Sequence, residues 1–385
     1  MLKNYDLRLA TELHVLNGGV NKVGEIAKEH GAKKIMLVAD PGIRKTGIPA
    51  KVADSIKVAG IEYIDYDKLD PDPHMPDCEE GARIAMKEGI DFIVAVGGGS
   101  SIDVGKSIAA LVGHGYDDFH KVMAPNVYTC DPLPMIAVPT TAGSGSEVSI
   151  FAVIGDPVTH IKECIADLRC SPTVAVCDPE VLLGLPNSVA GPCAMDALTH
   201  AVEAYVCRVA NPLTDAWALW ACKTIFENIH NYIENRDLEC CENIMNASLL
   251  AGLAFGYSDV ASIHSIGEVV GGLYPIPHGT LSAMFLPYVT EYCLTSALER
   301  YAQLAKAAGI ECDNLTNLEA GQALVDEIRK LNEFIGVKKL KDFVPDDTQF
   351  DLMTTRCVEH ACKIDNPLVM NKQDFEAVLK KVYEG

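Results

Sequence analysis

The feature that most constrains this fold is a set of four short apolar segments, each ending at Gly, Pro, Asp or Ser. These segments are rich in Val and Ile and span residues 33–40, 91–100, 134–146 and 173–180. Strands that are apolar throughout are typical of a parallel sheet covered on both faces, and the segments between them are long enough for crossover helices. Residues 76–89 carry a helical pattern that stops at a glycine, as such a crossover requires.

The second half of the chain has a different pattern. From about residue 186 the apolar strands give way to helical segments with an apolar stripe, and these continue to residue 384. The sequence therefore predicts an α/β N-terminal domain over residues 1–185 and an all-α C-terminal domain over residues 186–385. Ligands of open parallel sheets bind beyond the carboxyl ends of the strands, so we expect the active site in a cleft between the two domains.

Charge and cysteine content argue against several classes of protein. The 385 residues include 32 Lys and Arg against 53 Asp and Glu, with no basic cluster that would bind nucleic acid or an anionic membrane. The 14 cysteines form no C-x-x-C pair, and the first 19 residues contain no apolar signal segment. Residues 269–290 are uncharged but contain three prolines, which argues against a transmembrane helix. We therefore expect a cytoplasmic protein with reduced thiols.

Two loops at predicted strand ends have the composition of a dinucleotide site. The first is a turn whose backbone N–H groups can approach a pyrophosphate, and it consists of Gly97, Gly98, Gly99, Ser100 and Ser101. The second runs from residue 139 to 147 and offers the hydroxyls of Thr140, Thr141, Ser144 and Ser146. Each loop alone is equally typical of a tight turn or a helix N-cap, and the two together favour dinucleotide binding.

Asp40 ends the first apolar segment. A carboxylate at this strand end can accept hydrogen bonds from both ribose hydroxyls of NAD, and it repels the 2′-phosphate of NADP. The alternative is that Asp40 is a turn residue before Pro41. On the functional interpretation, we expect the protein to prefer NAD to NADP.

One carboxylate and three histidines in the second half have the composition of a metal site. Asp196 and His200 are four residues apart on a helical segment, which places both on one face. His264 and His278 follow, the latter within the sequence PIPHG. One carboxylate oxygen with three imidazole nitrogens suits Fe²⁺ or Zn²⁺. Each residue alone is more typical of a solvated helix face or a buried core histidine.

Taken in order, the segments GGGSSIDVGK, PTTAGSGSEVS, AMDALTHAVEAY and GLYPIPHG resemble the iron-dependent (group III) alcohol dehydrogenase family, over nearly the whole chain. The resemblance implies a dehydroquinate-synthase-like fold, in which an α/β domain binds the dinucleotide and a helical domain binds the metal. It implies that the metal ligands are Asp196, His200, His264 and His278. It also implies a set of residues that contact NAD(P), as in other members of the family. These residues are Asp40, Gly97, Gly98, Gly99, Ser100, Ser101, Asp103, Thr140, Thr141, Ser144, Ser146 and Lys162.

Several positions depart from the family pattern, including Gly256 and Tyr257, which replace residues that usually include an asparagine. Asp72 replaces the usual asparagine of a P-N-P segment near the nicotinamide, and Ser144 replaces the usual threonine. Glu268 stands where the family usually has a second histidine, one helical turn after His264. The substrate pocket is therefore expected to differ from that of the best-known members.

Glu268 is predicted to be a catalytic residue. On a helix its side chain would share a face with His264, within reach of the metal or the substrate oxygen. There it could accept the alcohol proton, and its charge would disfavour anionic substrates. The alternative is that Glu268 only hydrogen-bonds a neighbouring side chain.

These features predict an enzyme that transfers a hydride between NAD(H) and a small alcohol or aldehyde, with Fe²⁺, or alternatively Zn²⁺, activating the substrate oxygen. Two alternatives are a zinc-dependent dehydrogenase of glycerol-type polyols and a lyase of the dehydroquinate-synthase type. The lyase would need Lys and Arg groups to bind a sugar phosphate, and residues 247–290 contain none. We also expect a homo-oligomer, either a dimer or larger.

Overall fold

Two structural units can be distinguished in the computed structural model, which describes residues 5–125 and 128–385. The first unit comprises Arg8–Thr141 and Gly145–Gly184. The second comprises Leu185–Gly385 together with residues 5–7 and the short segment Ala142–Ser144. The division is therefore not contiguous in sequence, because three residues of the second predicted dinucleotide loop belong to the C-terminal unit.

A parallel six-stranded sheet forms the centre of the first unit, with the strand order β1-β8-β5-β4-β2-β3. A separate antiparallel pair is formed by β6 and β7. The strands, numbered along the chain, are β1 Glu12–Val15, β2 Lys34–Val38, β3 Glu62–Tyr66, β4 Phe92–Gly97, β5 Met135–Pro139, β6 Phe151–Gly155, β7 Lys162–Ala166 and β8 Val174–Cys177.

The four segments predicted as strands are the four central strands of this sheet, β2, β4, β5 and β8. Every residue of β4, β5 and β8 is buried, which produces the continuous apolar signal. The sequence pattern did not predict the two edge strands, β1 (ELHV) and β3 (EYIDY). Both are partly exposed, so their sequences mix polar and apolar residues without a clear period.

Helices cover both faces of the sheet. They are α1 Val23–Glu29, α2 Pro41–Arg44, α3 Ile48–Val58, α4 Met75–Glu88 and α5 Gly99–His114. Alternate residues of one strand enter two different cores: Ile93 and Ala95 pack in the same core as Ile102 of α5, while Val94 packs with Ile56 of α3. The predicted helix at 76–89 is α4, and it ends at Gly89, which adopts the left-handed conformation with φ 66.

The C-terminal unit is built from nine longer helices, and the described part of residues 185–385 contains no strand. The helices are α6 Asn187–Val206, α7 Pro212–Glu234, α8 Leu238–Gly256, α9 Ser262–Leu273, α10 His278–Cys293, α11 Leu298–Ala307, α12 Asn317–Ile335, α13 Phe350–Glu359 and α14 Lys372–Glu384. The prediction of an α/β N-terminal part and an all-α C-terminal part is confirmed. No helix among the described residues is long and apolar enough to cross a membrane.

Candidate metal centre and dinucleotide loops

Three helices of the C-terminal unit bring the four predicted metal ligands together. Asp196 and His200 lie one turn apart on α6, His264 lies in the first turn of α9, and His278 is the first residue of α10. Each of the four residues offers one ligand atom, and these atoms all lie within 4.8 Å of one another. Atoms so close together can bind a single ion.

Burial and hydrogen bonding indicate that this cluster fits a cation. Asp196, His200 and His264 are at most 4% exposed, whereas the side chain of His278 is 45% exposed. Among the described residues, Asp196 Oδ1 and His264 Nε2 are buried atoms with no hydrogen-bond partner. Polar atoms are costly to bury without a partner, and a cation would satisfy both. The chemistry of the donor set, one carboxylate and three imidazoles, therefore fits a divalent iron or zinc ion.

Two of the histidine rings are held in place by a hydrogen bond at Nδ1. Glu203, on α6, accepts a hydrogen bond from His264 Nδ1 and another from the backbone N–H of Ile263 at 2.6 Å. His200 Nδ1 lies 3.1 Å from the carbonyl oxygen of Gly143, to which it can donate. Each contact leaves Nε2 free to bind a metal, which is the usual arrangement of metal-binding histidines.

The surroundings also set the pKa values of these groups in the ion-free protein. Burial lowers the pKa of His200 to about 3, so this ring is neutral and can act as a ligand. Burial also lowers the pKa of His264, but the charge and the hydrogen bond of Glu203 outweigh it and raise the pKa to about 9. Burial would raise the pKa of Asp196, yet the three histidines hold it below its usual value. The pocket therefore favours a positive charge beside an ionised carboxylate.

Glu268, the predicted catalytic residue, forms a hydrogen bond with a side chain distant in sequence. Its Oε2 atom lies 3.0 Å from Nε2 of His360, the residue that follows α13. Burial acts to raise the pKa of Glu268, but the hydrogen bond and charge of His360 lower it to about 2. This hydrogen bond is of the kind that the alternative interpretation expects, and a catalytic role for Glu268 stays a prediction. No sequence signal pointed to His360, because the two residues are 92 positions apart.

The first dinucleotide loop joins β4 directly to α5. Gly97 has φ 157, and a Cβ at this position would lie 2.4 Å from Ser101 Oγ, so a larger residue would not fit. Gly98 precedes α5 and gives it no side-chain cap. Ser100 Oγ donates to the carbonyl of Pro71 at 2.7 Å. The loop therefore has the geometry of an anion-binding helix start.

The second loop begins beside the first. The backbone N–H of Thr140 donates to the carbonyl of Gly97 at 2.9 Å, and a Cβ on Gly98 would lie 3.4 Å from Thr141 Oγ1. Two further predicted residues, Asp72 and Lys162, form an ion pair in the same unit. The carboxyl ends of the adjacent strands β4 and β5 place the two loops at one edge of the sheet.

Asp103 holds the second loop with one oxygen and β6 with the other. It accepts a hydrogen bond from Ser146 Oγ and another from the backbone N–H of Val153 at 3.0 Å. One turn later on α5, the fully buried Lys106 donates to the carbonyl oxygens of Ser149 and Phe151 at 2.9 and 2.7 Å. The helix that begins at the first loop thus fixes the segment that follows the second.

Asp40 has two roles in the structure of the turn after β2. Its Oδ1 caps α2, accepting from the N–H groups of Gly42 at 2.7 Å and Ile43 at 3.0 Å. Its Oδ2 accepts from Ser101 Oγ at 3.1 Å, which joins it to the glycine-rich loop. The turn interpretation and the position expected for ribose binding are therefore compatible.

Two residues near the metal ligands were not predicted. Glu203 follows Asp196 and His200 on one face of α6, and this spacing of four and three residues is a sequence signal that could have identified it. Gly143 lies with Ser144 in the segment that belongs to the C-terminal unit. A Cβ on Gly143 would lie 2.6 Å from the carbonyl oxygen of Cys193, so the loop packs closely against the start of α6.

A parallel sheet with a phosphate-type loop and a helical unit with a histidine-rich cation site define a metal-dependent oxidoreductase that uses a nicotinamide coenzyme. Residues 10–179 match the sequence profile of the family described as iron-containing alcohol dehydrogenase, and residues 192–383 match the C-terminal profile of the Fe-containing alcohol dehydrogenase family. The chain belongs to the iron-containing alcohol dehydrogenase family. The polyol-dehydrogenase and lyase alternatives gain no support from these matches.

Individual relatives match along nearly the full length. The chain is 34% identical to 1,3-propanediol dehydrogenase of Citrobacter freundii, over 94% of this chain and 95% of that protein. It is 33% identical to NAD-dependent methanol dehydrogenase of Bacillus methanolicus, over 94% and 96%. The solved alcohol dehydrogenase from Oenococcus oeni superposes with a TM-score of 0.95 at 32% identity, covering 99% of this chain and all of that one. The prediction of a metal-dependent alcohol dehydrogenase that acts on small alcohols or aldehydes is confirmed.

Proposed function

We propose that Asp196, His200, His264 and His278 hold one divalent ion, Fe²⁺ or Zn²⁺, at which a small alcohol is oxidised or its aldehyde reduced. The observation that carries this is the pair of buried unpartnered atoms, Asp196 Oδ1 and His264 Nε2, in a cluster of ligand atoms within 4.8 Å. A bound ion of this kind supplies Lewis acidity to the substrate oxygen. Glu203 and the Gly143 carbonyl orient the His264 and His200 rings for this role.

We propose that NAD binds at the carboxyl edge of the sheet and supplies the hydride acceptor. The start of α5, with Gly97, Gly98, Gly99, Ser100 and Ser101, would hold the pyrophosphate. Asp40 would accept from the ribose hydroxyls. The further coenzyme contacts in this proposal are Asp72, Thr140, Thr141, Ser144 and Lys162, while Asp103 and Ser146 fix the loop from within, as their hydrogen bond supports.

Glu268 is kept in the proposed site, with a role in binding. Its pKa of about 2 makes it a weak base at neutral pH, so the pairing with His360 argues for a substrate contact and against uptake of the alcohol proton. Its position one turn after His264 on α9 supports this placement.

Replacement of one ligand tests the metal site. We expect His264→Ala to lose both the bound ion and the NAD-dependent oxidation of 1-propanol, because one of four ligands is removed. His230→Ala, on α7 outside the cluster, is the control and should keep its metal. Elemental analysis of both variants after dialysis gives the result. A full complement of metal in His264→Ala would contradict the assignment.

We propose a homo-oligomer formed through β1. This strand lies at the edge of the sheet and pairs only with β8 among the described residues. Its residues Leu13 and Val15 are 37% and 39% exposed, and the nearby Leu9 is 51% exposed. An unpaired edge with exposed apolar side chains favours association with a second copy. The molar mass in solution, from light scattering, tests this.

We propose a cytoplasmic location for this protein. Several cysteines, among them Cys78, Cys170, Cys177 and Cys222, are buried and form no disulfide. Burial raises the pKa of the thiols of Cys78 and Cys177, which keeps them protonated and unreactive. Buried thiols outside disulfides suit a reducing compartment.

A further inference from the structure

The pair formed by Glu268 and His360 is the strongest unexplained feature near the metal centre. The side chains of the two residues are only 13% and 18% exposed. His360 lies between α13 and the following short turn. Among the described residues, its side chain forms one hydrogen bond, to Glu268 on α9. Burial of an ion pair has a desolvation cost, so a pair at this position calls for a structural or functional explanation.

Only one oxygen of Glu268 is used by this pair. Oε2 binds His360, whereas Oε1 has no hydrogen bond within the described part of the chain and is not among the atoms that are both buried and unpartnered. Oε1 therefore keeps some contact with solvent, although the Glu268 side chain as a whole is only 13% exposed. Since His360 holds the carboxylate at its other oxygen, Oε1 is presented in a fixed direction as a hydrogen-bond acceptor.

Glu268 lies on the helix that carries the metal ligand His264. Glu268 follows His264 by one turn of α9, a separation of about 6 Å along the helix axis. The two residues are four positions apart, which places their side chains on the same face of α9. His278 is the exposed ligand, so the cluster is open to solvent at this residue.

We propose that Glu268, held by His360, is a specificity-determining residue that binds a second hydrogen-bond donor on the substrate, so that the enzyme favours short alcohols bearing a second hydroxyl or an ammonium group. This inference rests on the proposed function, since it places the reacting oxygen at the metal centre. His360 acts as a positioning residue. A substrate with a carboxylate or sulfonate at the same place would meet a carboxylate oxygen and be disfavoured.

The pairing changes the electrostatic argument made from the sequence. Burial lowers the pKa of His360, but the hydrogen bond and charge of Glu268 outweigh burial and raise it, so each side chain favours the ionised form of the other. The discrimination therefore comes from a short, directed contact at Oε1. It should be less sensitive to salt than a field from an unpaired charge would be.

The test compares substrates of one chain length on the purified, metal-loaded full chain with NAD. The values of kcat/KM are measured for 1,3-propanediol, for 3-hydroxypropanoate and for 1-propanol. We expect wild type to favour the diol over the hydroxyacid, and we expect Glu268→Gln to lower that ratio on the order of tenfold to a hundredfold, the range for a lost hydrogen bond to a charged group.

Variants of His360 separate positioning from a merely structural role. His360→Gln keeps an N–H donor near the position of Nε2, so it should retain most of the ratio, whereas His360→Leu releases the carboxylate and should lower it. Glu227→Gln, at an exposed position of α7, is the matched control and should leave the ratio unchanged. Thermal unfolding establishes that each variant is folded.

Two outcomes overturn the inference. One is a diol-to-hydroxyacid ratio in Glu268→Gln equal to that of wild type. The other, which needs no variant, is a wild type that has no preference between the two. If either outcome occurs while wild type still oxidises 1-propanol and holds its metal, only the role of Glu268 is refuted. If it holds no metal and oxidises none of the alcohols, the proposed function itself has failed.

Discussion

Glu203 should control how tightly the metal centre binds its ion. It is 1% exposed and satisfies two donors at once, the backbone N–H of Ile263 and Nδ1 of His264. In Glu203→Gln the amide has a single acceptor oxygen, so one donor would face an NH₂ group. The negative charge of the carboxylate also stabilises a nearby divalent ion, and the neutral amide lacks this charge.

The expected loss can be estimated from these contacts. Removing the partner of a metal-binding histidine typically costs about tenfold to a hundredfold in metal affinity, or roughly 1.4–2.7 kcal/mol. The unmet buried donor should also lower the stability of the ion-free protein by about 1–3 kcal/mol. We therefore expect weaker metal binding and a lower unfolding midpoint in Glu203→Gln.

Competition with a chelator of known affinity measures the dissociation constant of the ion in each protein. Glu227→Gln makes the same substitution at an exposed site of α7 and should bind the ion as wild type does. If Glu203→Gln and wild type gave equal dissociation constants, the reasoning that Glu203 orients His264 for the metal would be refuted.

Two further predictions concern the first unit. Asp40→Asn keeps the N-cap of α2 but removes the negative charge. The ratio of kcat/KM for NADPH to kcat/KM for NADH should therefore rise about tenfold to a hundredfold. An unchanged ratio in steady-state assays would count against a ribose contact. Burial raises the pKa of Glu147 from 4.5 to about 7, against the opposing charge of Lys106. The stability that Glu147 contributes is therefore fully present below pH 4.5 and is lost as pH rises towards 7, by roughly 3 kcal/mol at most. Glu147→Gln should remove this loss. Urea unfolding gives the difference in the free energy of unfolding between the two proteins at pH 5 and at pH 8. An equal difference at the two pH values would disprove the prediction.

Local sequence was sufficient wherever one segment carried its own signal. The central strands β2, β4, β5 and β8 were predicted because burial on both faces demands unbroken apolar runs. Asp196 and His200 were predicted as neighbours because four residues make about one helical turn. The glycine-rich loop was predicted because three consecutive glycines follow an apolar segment, which lets the backbone approach a phosphate closely.

Tertiary structure decided the features that join distant segments. It placed His264 and His278 beside α6, gave His264 its partner Glu203, and paired Glu268 with a histidine 92 residues away. Side-chain hydrogen bonds of this kind leave no periodic pattern, because neither partner constrains the residues next to it. The sequence by itself therefore determined the fold class, the family and the ligand types. Only the packing of α6, α9, α10 and the segment after α13 determined which of Glu268's two oxygens is free, because that depends on the direction in which His360 approaches it.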